Sequence, residues 1–243
     1  MTNDMMYQIS TLNALALGYT RRVSTVAELL EHGNIGLGTF ENADGEMIVL
    51  DGSCYRATDD GSVTKVPNEC GVPFASVAFM EGDTDMFDLH DIDCIESLKN
   101  QLDLKIEEGF GLNSMHVVRV DASFRIVKAR AEKGVPTQHV ELKEILKERQ
   151  REFEFERIMG TLVCLYHPDY MQGMNAAGWH FHFLSSDTKF GGHVFDLAFS
   201  HGRCMHKRLN QMQVKLPSEP VFDTYSLTSL DKGDIKQVEQ GKG

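Results

Sequence analysis

The chain has 243 residues, 42% of them hydrophobic and 25% charged, with a formal net charge of −12. This length accommodates one large domain or two small ones, and the acidic balance argues against a nucleic-acid partner. No run of about 18 apolar residues occurs, and no basic and then apolar leader opens the chain, so we expect a cytoplasmic protein without membrane contact. Its five scattered cysteines contain no CxxC pair, which favours reduced thiols.

The N-terminal third predicts a short helix followed by a β-meander. Ser24 or Thr25 has the character of a helix N-cap, with Glu28 in the capping-box position. Further along, Asp-Gly pairs separate short apolar runs, and such pairs are typical of hairpin turns. These runs predict strands over 36–40, 46–50, 53–57 and 63–66.

The rest of the chain predicts more strands and two further helices. Apolar residues spaced three to four apart predict an amphipathic helix over 91–109, and a shorter helix is predicted over 140–148. A polar link at 121–123 suggests a hairpin between two strands. The predicted strands are 74–80, 115–120, 124–130, 160–166, 179–184, 193–199 and 209–217.

These elements predict an α+β fold, made mostly of mixed β-sheets in two subdomains with a few helices. Residues 1–135 would form an N-terminal mixed-sheet subdomain with helices. Residues 136–243 would form a C-terminal β subdomain that carries a metal site and ends in a polar tail.

The metal site is predicted from Gly-Trp-His-Phe-His-Phe and the Gly-Gly-His that follows. On a strand, His180 and His182 point to one face while Phe181 and Phe183 point to the other. An isolated HxH pair is more often two ordinary strand histidines, but His193 begins the next strand after a short loop and can join the pair. Three neutral imidazoles with an open position are typical of catalytic zinc, although iron, nickel and copper also bind imidazole. The zinc site would therefore lie on the C-terminal sheet.

The other histidines have no such neighbours in the sequence and are assigned no role. His201 and His206, for example, are five residues apart, which is poor chelating geometry on a strand or a helix.

A catalytic metal also needs polar side chains that bind substrate and move protons. Glu46 begins an otherwise apolar strand and Arg130 ends one, while Arg119 and Arg125 lie in similar settings. The residues alone do not rank these candidates, since each could equally be a solvated strand end.

Several longer motifs follow one another along nearly the whole chain. They are GNIGLGTF (33–40), GEMIVLDG (45–52), RVDASFRIVKAR (119–130), GTLVCLYHPDY (160–170), GWHFHF (178–183) and GGHVFD (191–196). Together they resemble the alpha-acetolactate decarboxylase family, carboxy-lyases that convert 2-acetolactate to acetoin and carbon dioxide in acetoin biosynthesis. The resemblance implies a homodimer acting on acetolactate.

The resemblance also implies roles for single residues. His180, His182 and His193 would bind Zn²⁺, which would act as a Lewis acid for an enediolate intermediate. The implied catalytic residues are Glu46, Arg130 and Glu239, and the implied substrate-binding residues are Thr39 and Arg130. Glu239 is the best match to a family glutamate that comes from the C-terminal tail. The tail has little sequence pattern, and Glu219 is a poorer alternative.

Two other functions use similar histidine patterns. One is a non-enzymatic zinc-binding domain with the HxH…GGH strand pair, found in some proteins beside DNA-binding segments. Such domains are shorter, and this acidic chain has no basic arm. The other is a cupin-type metal oxygenase, which would add a glutamate soon after the HxH pair and a distant histidine. Here Asp187 is the only nearby acid and the third histidine is close.

Overall fold

The structure, a computed structural model, describes residues 4–109, 111–135 and 140–227. These residues form fourteen strands and four α-helices. The helices are α1 (Leu12–Ala16), α2 (Val26–Leu30), α3 (Ile95–Gly109) and α4 (Leu142–Arg149). The strands are β1 (Met5–Ile9), β2 (Ser24–Thr25), β3 (Ile35–Thr39), β4 (Glu46–Leu50), β5 (Ser53–Ala57), β6 (Val63–Lys65), β7 (Gly71–Val72), β8 (Phe74–Ala78), β9 (Asp85–Ile92), β10 (Met115–Glu132), β11 (Gln150–His167), β12 (Gly178–Ser185), β13 (Gly191–Leu209) and β14 (Gln211–Lys215).

The first sheet has seven strands in the order β14-β1-β8-β3-β4-β5-β6. It is mixed, because β1 pairs with β14 in parallel while its other neighbours are antiparallel. The predicted meander is confirmed as β3-β4-β5-β6. Asp51 and Gly52, which join β4 to β5, have φ values of 50° and 69°. Two positive φ values in a two-residue turn match the right-handed twist of the flanking strands, which explains the Asp-Gly pair.

The second sheet has the order β10-β11-β12-β13-β9, and β10 also pairs with β13. The predicted hairpin at 121–123 is wrong, because β10 runs without interruption through these residues. Asp121 stays in the sheet because its carboxylate accepts a hydrogen bond from the Thr161 hydroxyl at 2.5 Å and pairs with Arg119 at 2.8 Å. A shift in the β10–β13 register after Ala122 accommodates the local irregularity.

The two sheets pack face to face, and α3 covers the far side of the second sheet. Between the sheets, Leu37 and Ile48 belong to the same buried cluster as Val163 and Leu165. Beneath α3 lies a second cluster that contains helix residues together with the β12 aromatics Trp179, Phe181 and Phe183. The side chains of β12 that alternate with these aromatics therefore face the first sheet. The predicted α+β class with mixed sheets and a few helices is confirmed.

The chain moves between the two sheets more than once. β9 and β10 precede residue 135 and belong to the second sheet, while β14 returns to the first. The division into subdomains 1–135 and 136–243 stays a prediction. The longest described helix, α3, has 15 residues, fewer than the roughly 20 that a bilayer crossing needs, and no other described helix is long and apolar enough either.

A buried histidine makes the fold sensitive to acid. His167 ends β11 fully buried, with its Nε2 3.1 Å from Met6 Sδ. Burial, assisted by nearby His180, lowers the pKa of His167 to about 3. Below about pH 6.5 the imidazole of His167 binds a proton in the unfolded chain but not in the folded chain. The free energy of unfolding therefore falls as the pH is lowered.

We expect this residue alone to remove about 2 kcal/mol of stability between pH 7 and pH 5. Urea unfolding of the wild type and His167→Gln at both pH values measures the difference. Glutamine does not titrate, so the variant should lose about 2 kcal/mol less than the wild type. Equal losses in the two proteins would show that His167 does not cause the acid sensitivity.

Candidate active site

Three histidines meet on the face of the second sheet that points toward the first. His180 and His182 lie in β12, and His193 in β13 is the cross-strand partner of His182. All three side chains are buried, and one ring nitrogen of each lies within 4.8 Å of the other two. His180 Nε2 and His193 Nδ1 are 3.0 Å apart. The predicted grouping of these histidines is therefore present in the fold.

The surroundings keep His180 and His182 neutral and fix the ring of His182. His182 Nδ1 donates a hydrogen bond to the Met47 carbonyl at 2.7 Å, which leaves its Nε2 as the nitrogen with a free lone pair. Burial, with a smaller contribution from the Arg130 charge, lowers the pKa of His180 to about 3. Burial, followed by proximity to His180, also holds the pKa of His182 well below its usual value. Both rings can therefore bind a metal at neutral pH without first losing a proton.

This donor set fits a transition-metal ion. Tetrahedral zinc, with Zn–N bonds of about 2.0–2.1 Å, places neighbouring ligand atoms roughly 3.3 Å apart. The separation of 3.0 Å between His180 Nε2 and His193 Nδ1 is close to that value. Three protein nitrogens would leave a coordination position open, as catalytic zinc requires, and imidazole also suits iron, nickel and copper.

The first sheet places a carboxylate against this cluster. Glu46 opens β4 with 14% of its side chain exposed, and its Oε2 lies 3.3 Å from His182 Nε2. Thr39, at the end of β3, is the cross-strand partner of Glu46. Its hydroxyl donates to the Gly45 carbonyl at 2.9 Å, so the side chain is fixed by the turn between these strands.

Arg130 reaches the cluster from β10, where it is the cross-strand partner of His193. It is only 5% exposed, and its Nη2 lies 3.3 Å from His193 Nε2. Arg130, Glu46 and Thr39 line a single pocket together with His180 and His193. Leu15, Phe74, Leu142 and Leu146 contribute apolar surface to the same pocket. The structure thus joins a metal-binding set, a carboxylate and a guanidinium in one partly apolar cavity.

The sequence profile of the alpha-acetolactate decarboxylase family matches residues 6–229. The chain belongs to this family. Curated relatives of that name include the protein of Methanosarcina mazei, 34% identical over 98% of this chain and 81% of its own length. The protein of Brevibacillus brevis is 32% identical over 97% of this chain and 81% of its own length. A crystal structure of alpha-acetolactate decarboxylase from Bacillus subtilis superposes with a TM-score of 0.90 and 28% identity, covering 98% of this chain and 100% of that one.

The match confirms the predicted membership in this family of carboxy-lyases. This membership favours a carboxy-lyase over the two other functions considered from the sequence, the non-enzymatic zinc-binding domain and the cupin-type oxygenase. Of the predicted site residues, Thr39, Glu46, Arg130 and the histidines share one neighbourhood. Glu239 lies outside the described residues.

The pocket of this member of the alpha-acetolactate decarboxylase family also holds polar residues that were not selected from the sequence. Glu132 is only 3% exposed and lines the pocket, as does Gln150, its cross-strand partner on β11. Glu132 follows Arg130 by two positions, so strand alternation places both side chains on the same face. This two-residue spacing from Arg130 is the sequence feature that could have identified Glu132. The pocket therefore contains a second carboxylate in addition to Glu46.

Proposed function

We propose that the chain decarboxylates 2-acetolactate to acetoin and carbon dioxide with a zinc ion held by His180, His182 and His193. One observation carries this proposal: four strands, β4, β10, β12 and β13, bring the imidazoles, Glu46 and Arg130 together at one pocket. When bound there, zinc would supply a Lewis acid that stabilises negative charge on the substrate's carbonyl oxygen.

Arg130 would bind and orient the substrate carboxylate. A guanidinium suits a carboxylate, and its burial at 5% exposure strengthens the attraction by keeping water away. The carboxylate must leave as neutral carbon dioxide, so a very tight ion pair would oppose the reaction. The role of Arg130 is therefore mainly orientation. Thr39 lies beside Glu46 and would contact the substrate's polar groups, while the leucine side chains would accept its methyl groups.

Glu46 would deliver a proton to the carbon that loses the carboxylate. The loss of carbon dioxide leaves an electron pair on that carbon, and one proton completes acetoin. Glu46 is partly buried, lies in the same pocket as Arg130 and faces His182 at 3.3 Å. A fixed donor on one side of the substrate would protonate a single face, which gives one enantiomer of the product.

The direct test is acetoin formation by the purified, zinc-loaded chain supplied with racemic 2-acetolactate. We expect acetoin to form much faster than in the same solution without protein, and the initial rate to saturate with substrate. A rate no higher than that without protein, from folded and zinc-loaded chain, would overturn the proposal.

The proposed role of Glu239 has its own test. The described chain ends at Leu227, whose carbonyl accepts a hydrogen bond from Asn13 Nδ2 at 2.8 Å. Asn13 lies in α1, and Leu15 of the same helix lines the pocket, so the chain is attached near the site before the tail begins. We expect Glu239→Gln to lower kcat about 10²-fold, the lower end of the range for loss of a proton-transfer group, without loss of zinc. Glu219→Gln is the control, since Glu219 pairs with Arg21 at 3.4 Å. Unchanged kinetics of Glu239→Gln would remove Glu239 from the mechanism.

The homodimer and the cytoplasmic location stay predictions. The family resemblance is the basis of the first. The absence of a nucleic-acid partner is supported by the net charge of −12.

A further inference from the structure

A second group of metal-binding side chains lies on the outer strand of the second sheet, outside the active-site pocket. Asp88 and His90 are two positions apart in β9 and therefore share a face, and His201 of β13 is the cross-strand partner of His90. All three are exposed, and one ligand atom of each lies within 4.8 Å of the other two. His90 and His201 were assigned no role from the sequence, in which 111 positions separate them, but they are cross-strand partners in the fold.

The distances within this group suit a metal ion. His201 Nε2 lies 3.4 Å from Asp88 Oδ1, close to the roughly 3.3 Å between neighbouring ligands of tetrahedral zinc. The ring centres of His90 and His201 are 5.1 Å apart. His90 is exposed, so it can complete the site by a rotamer change that moves no core residue.

The ligands and charges of this group predict that it binds a cation with moderate affinity. Two imidazoles and one carboxylate form a mixed nitrogen and oxygen set, which zinc accepts and which magnesium and calcium bind poorly. Arg203 is the cross-strand partner of Asp88, and its charge opposes a bound cation. Exposure to water also weakens the attraction in comparison with the buried three-histidine site.

We propose that Asp88, His90 and His201 form a second, surface site for a zinc-class divalent cation, with water completing the coordination. The ion would bridge β9, the terminal strand of its sheet, to β13. Strands at sheet edges open more easily than central strands, since one side has no partner. A bridging ion would therefore stabilise this edge of the protein.

The test counts zinc ions. The full chain is dialysed against buffered Zn²⁺ at rising free concentration, and bound zinc per chain is measured by elemental analysis. We expect two ions per chain for the wild type, with the surface site filling last. His201→Ala and His90→Ala should each bind only one ion, or bind the second at least about tenfold more weakly, and should keep the wild-type rate of acetoin formation.

Asp91→Asn is the control for the charge of β9. It removes a negative charge directly beside His90, but Asp91 is not in the ligand group, and asparagine tolerates its φ of 51°. This variant should still bind two ions. A His180→Ala variant should lose the tighter ion and keep the weaker one, which separates the surface site from the proposed catalytic site. A single ion per wild-type chain that His180→Ala removes, or two ions in both His201→Ala and His90→Ala, would overturn the proposal.

Discussion

Replacing His182 with alanine should remove zinc and activity together. Among the proposed zinc ligands, His182 is the one whose orientation is set most directly, since its Nδ1 donates to the Met47 carbonyl and its ring is fully buried. Loss of an outer-shell partner alone costs about 10–100-fold in metal affinity, so loss of a direct ligand should cost at least about 100-fold. We expect kcat/KM for acetoin formation to fall by a similar or larger factor.

The measurement combines zinc analysis after dialysis with initial rates at several zinc concentrations. His167→Gln is a suitable control, because it also changes a buried histidine of the second sheet but leaves the three ligands intact. The control should keep its tightly bound zinc and most of its activity. Full activity of His182→Ala after this zinc has been removed would contradict the Lewis-acid role.

Part of this site could be predicted because it depends on local geometry. Strand alternation alone places His180 and His182 on one face, and it requires no knowledge of the rest of the fold. Thr39 was selected only through the family resemblance, although it is the cross-strand partner of Glu46 in the predicted meander. Short-range periodicity was therefore sufficient only for the histidine pair.

The position of Arg130 beside His193 could not be derived in this way. It depends on the β10–β13 register, which contains several shifts and pairs two residues that are 63 positions apart in the chain. From the residues alone, Arg130 and Arg119 were therefore equal candidates, and only the family resemblance separated them. In the fold Arg119 instead pairs with Asp51 and Asp121 outside the pocket.

The wrong hairpin at 121–123 has a related cause. A polar, small-residue link normally indicates a turn, but here Thr161 and Arg119 satisfy the Asp121 carboxylate within a continuous strand. These partners come from the neighbouring strand and from the same strand, and their effect is visible only once the sheet is assembled. The long β10 that results carries both Arg130 and Glu132 to the pocket.

Replacing Glu46 with glutamine should leave the metal in place and abolish most turnover. Glutamine has nearly the same size and can still contact His182, but it has no acidic proton to deliver. Loss of a positioned proton-transfer group typically costs about 10²–10⁴-fold, and we expect kcat to fall within this range with zinc content unchanged. Initial rates and elemental analysis on the same preparation measure both quantities.

A matched control separates proton transfer by Glu46 from a general effect of removing a carboxyl group from the pocket. Glu132→Gln makes the same carboxyl-to-amide change at another buried glutamate in the same pocket, so it matches Glu46→Gln in size and in the loss of one titratable group. Glu132 has no proposed role in proton transfer, so we expect a smaller change in kcat than for Glu46→Gln. If the two variants lost kcat equally, the loss would not be specific to Glu46 and the proton would have to come from another group.

The pH dependence provides a further distinction between these explanations. A proton donor works only when it is protonated, so the wild-type kcat should decline on the alkaline side of its optimum. The residual activity of Glu46→Gln should lack this decline, since the group that titrates has been removed, whereas Glu132→Gln should retain it. An unchanged alkaline decline in Glu46→Gln would assign the proton to a different residue, and Glu239 would be the next to test.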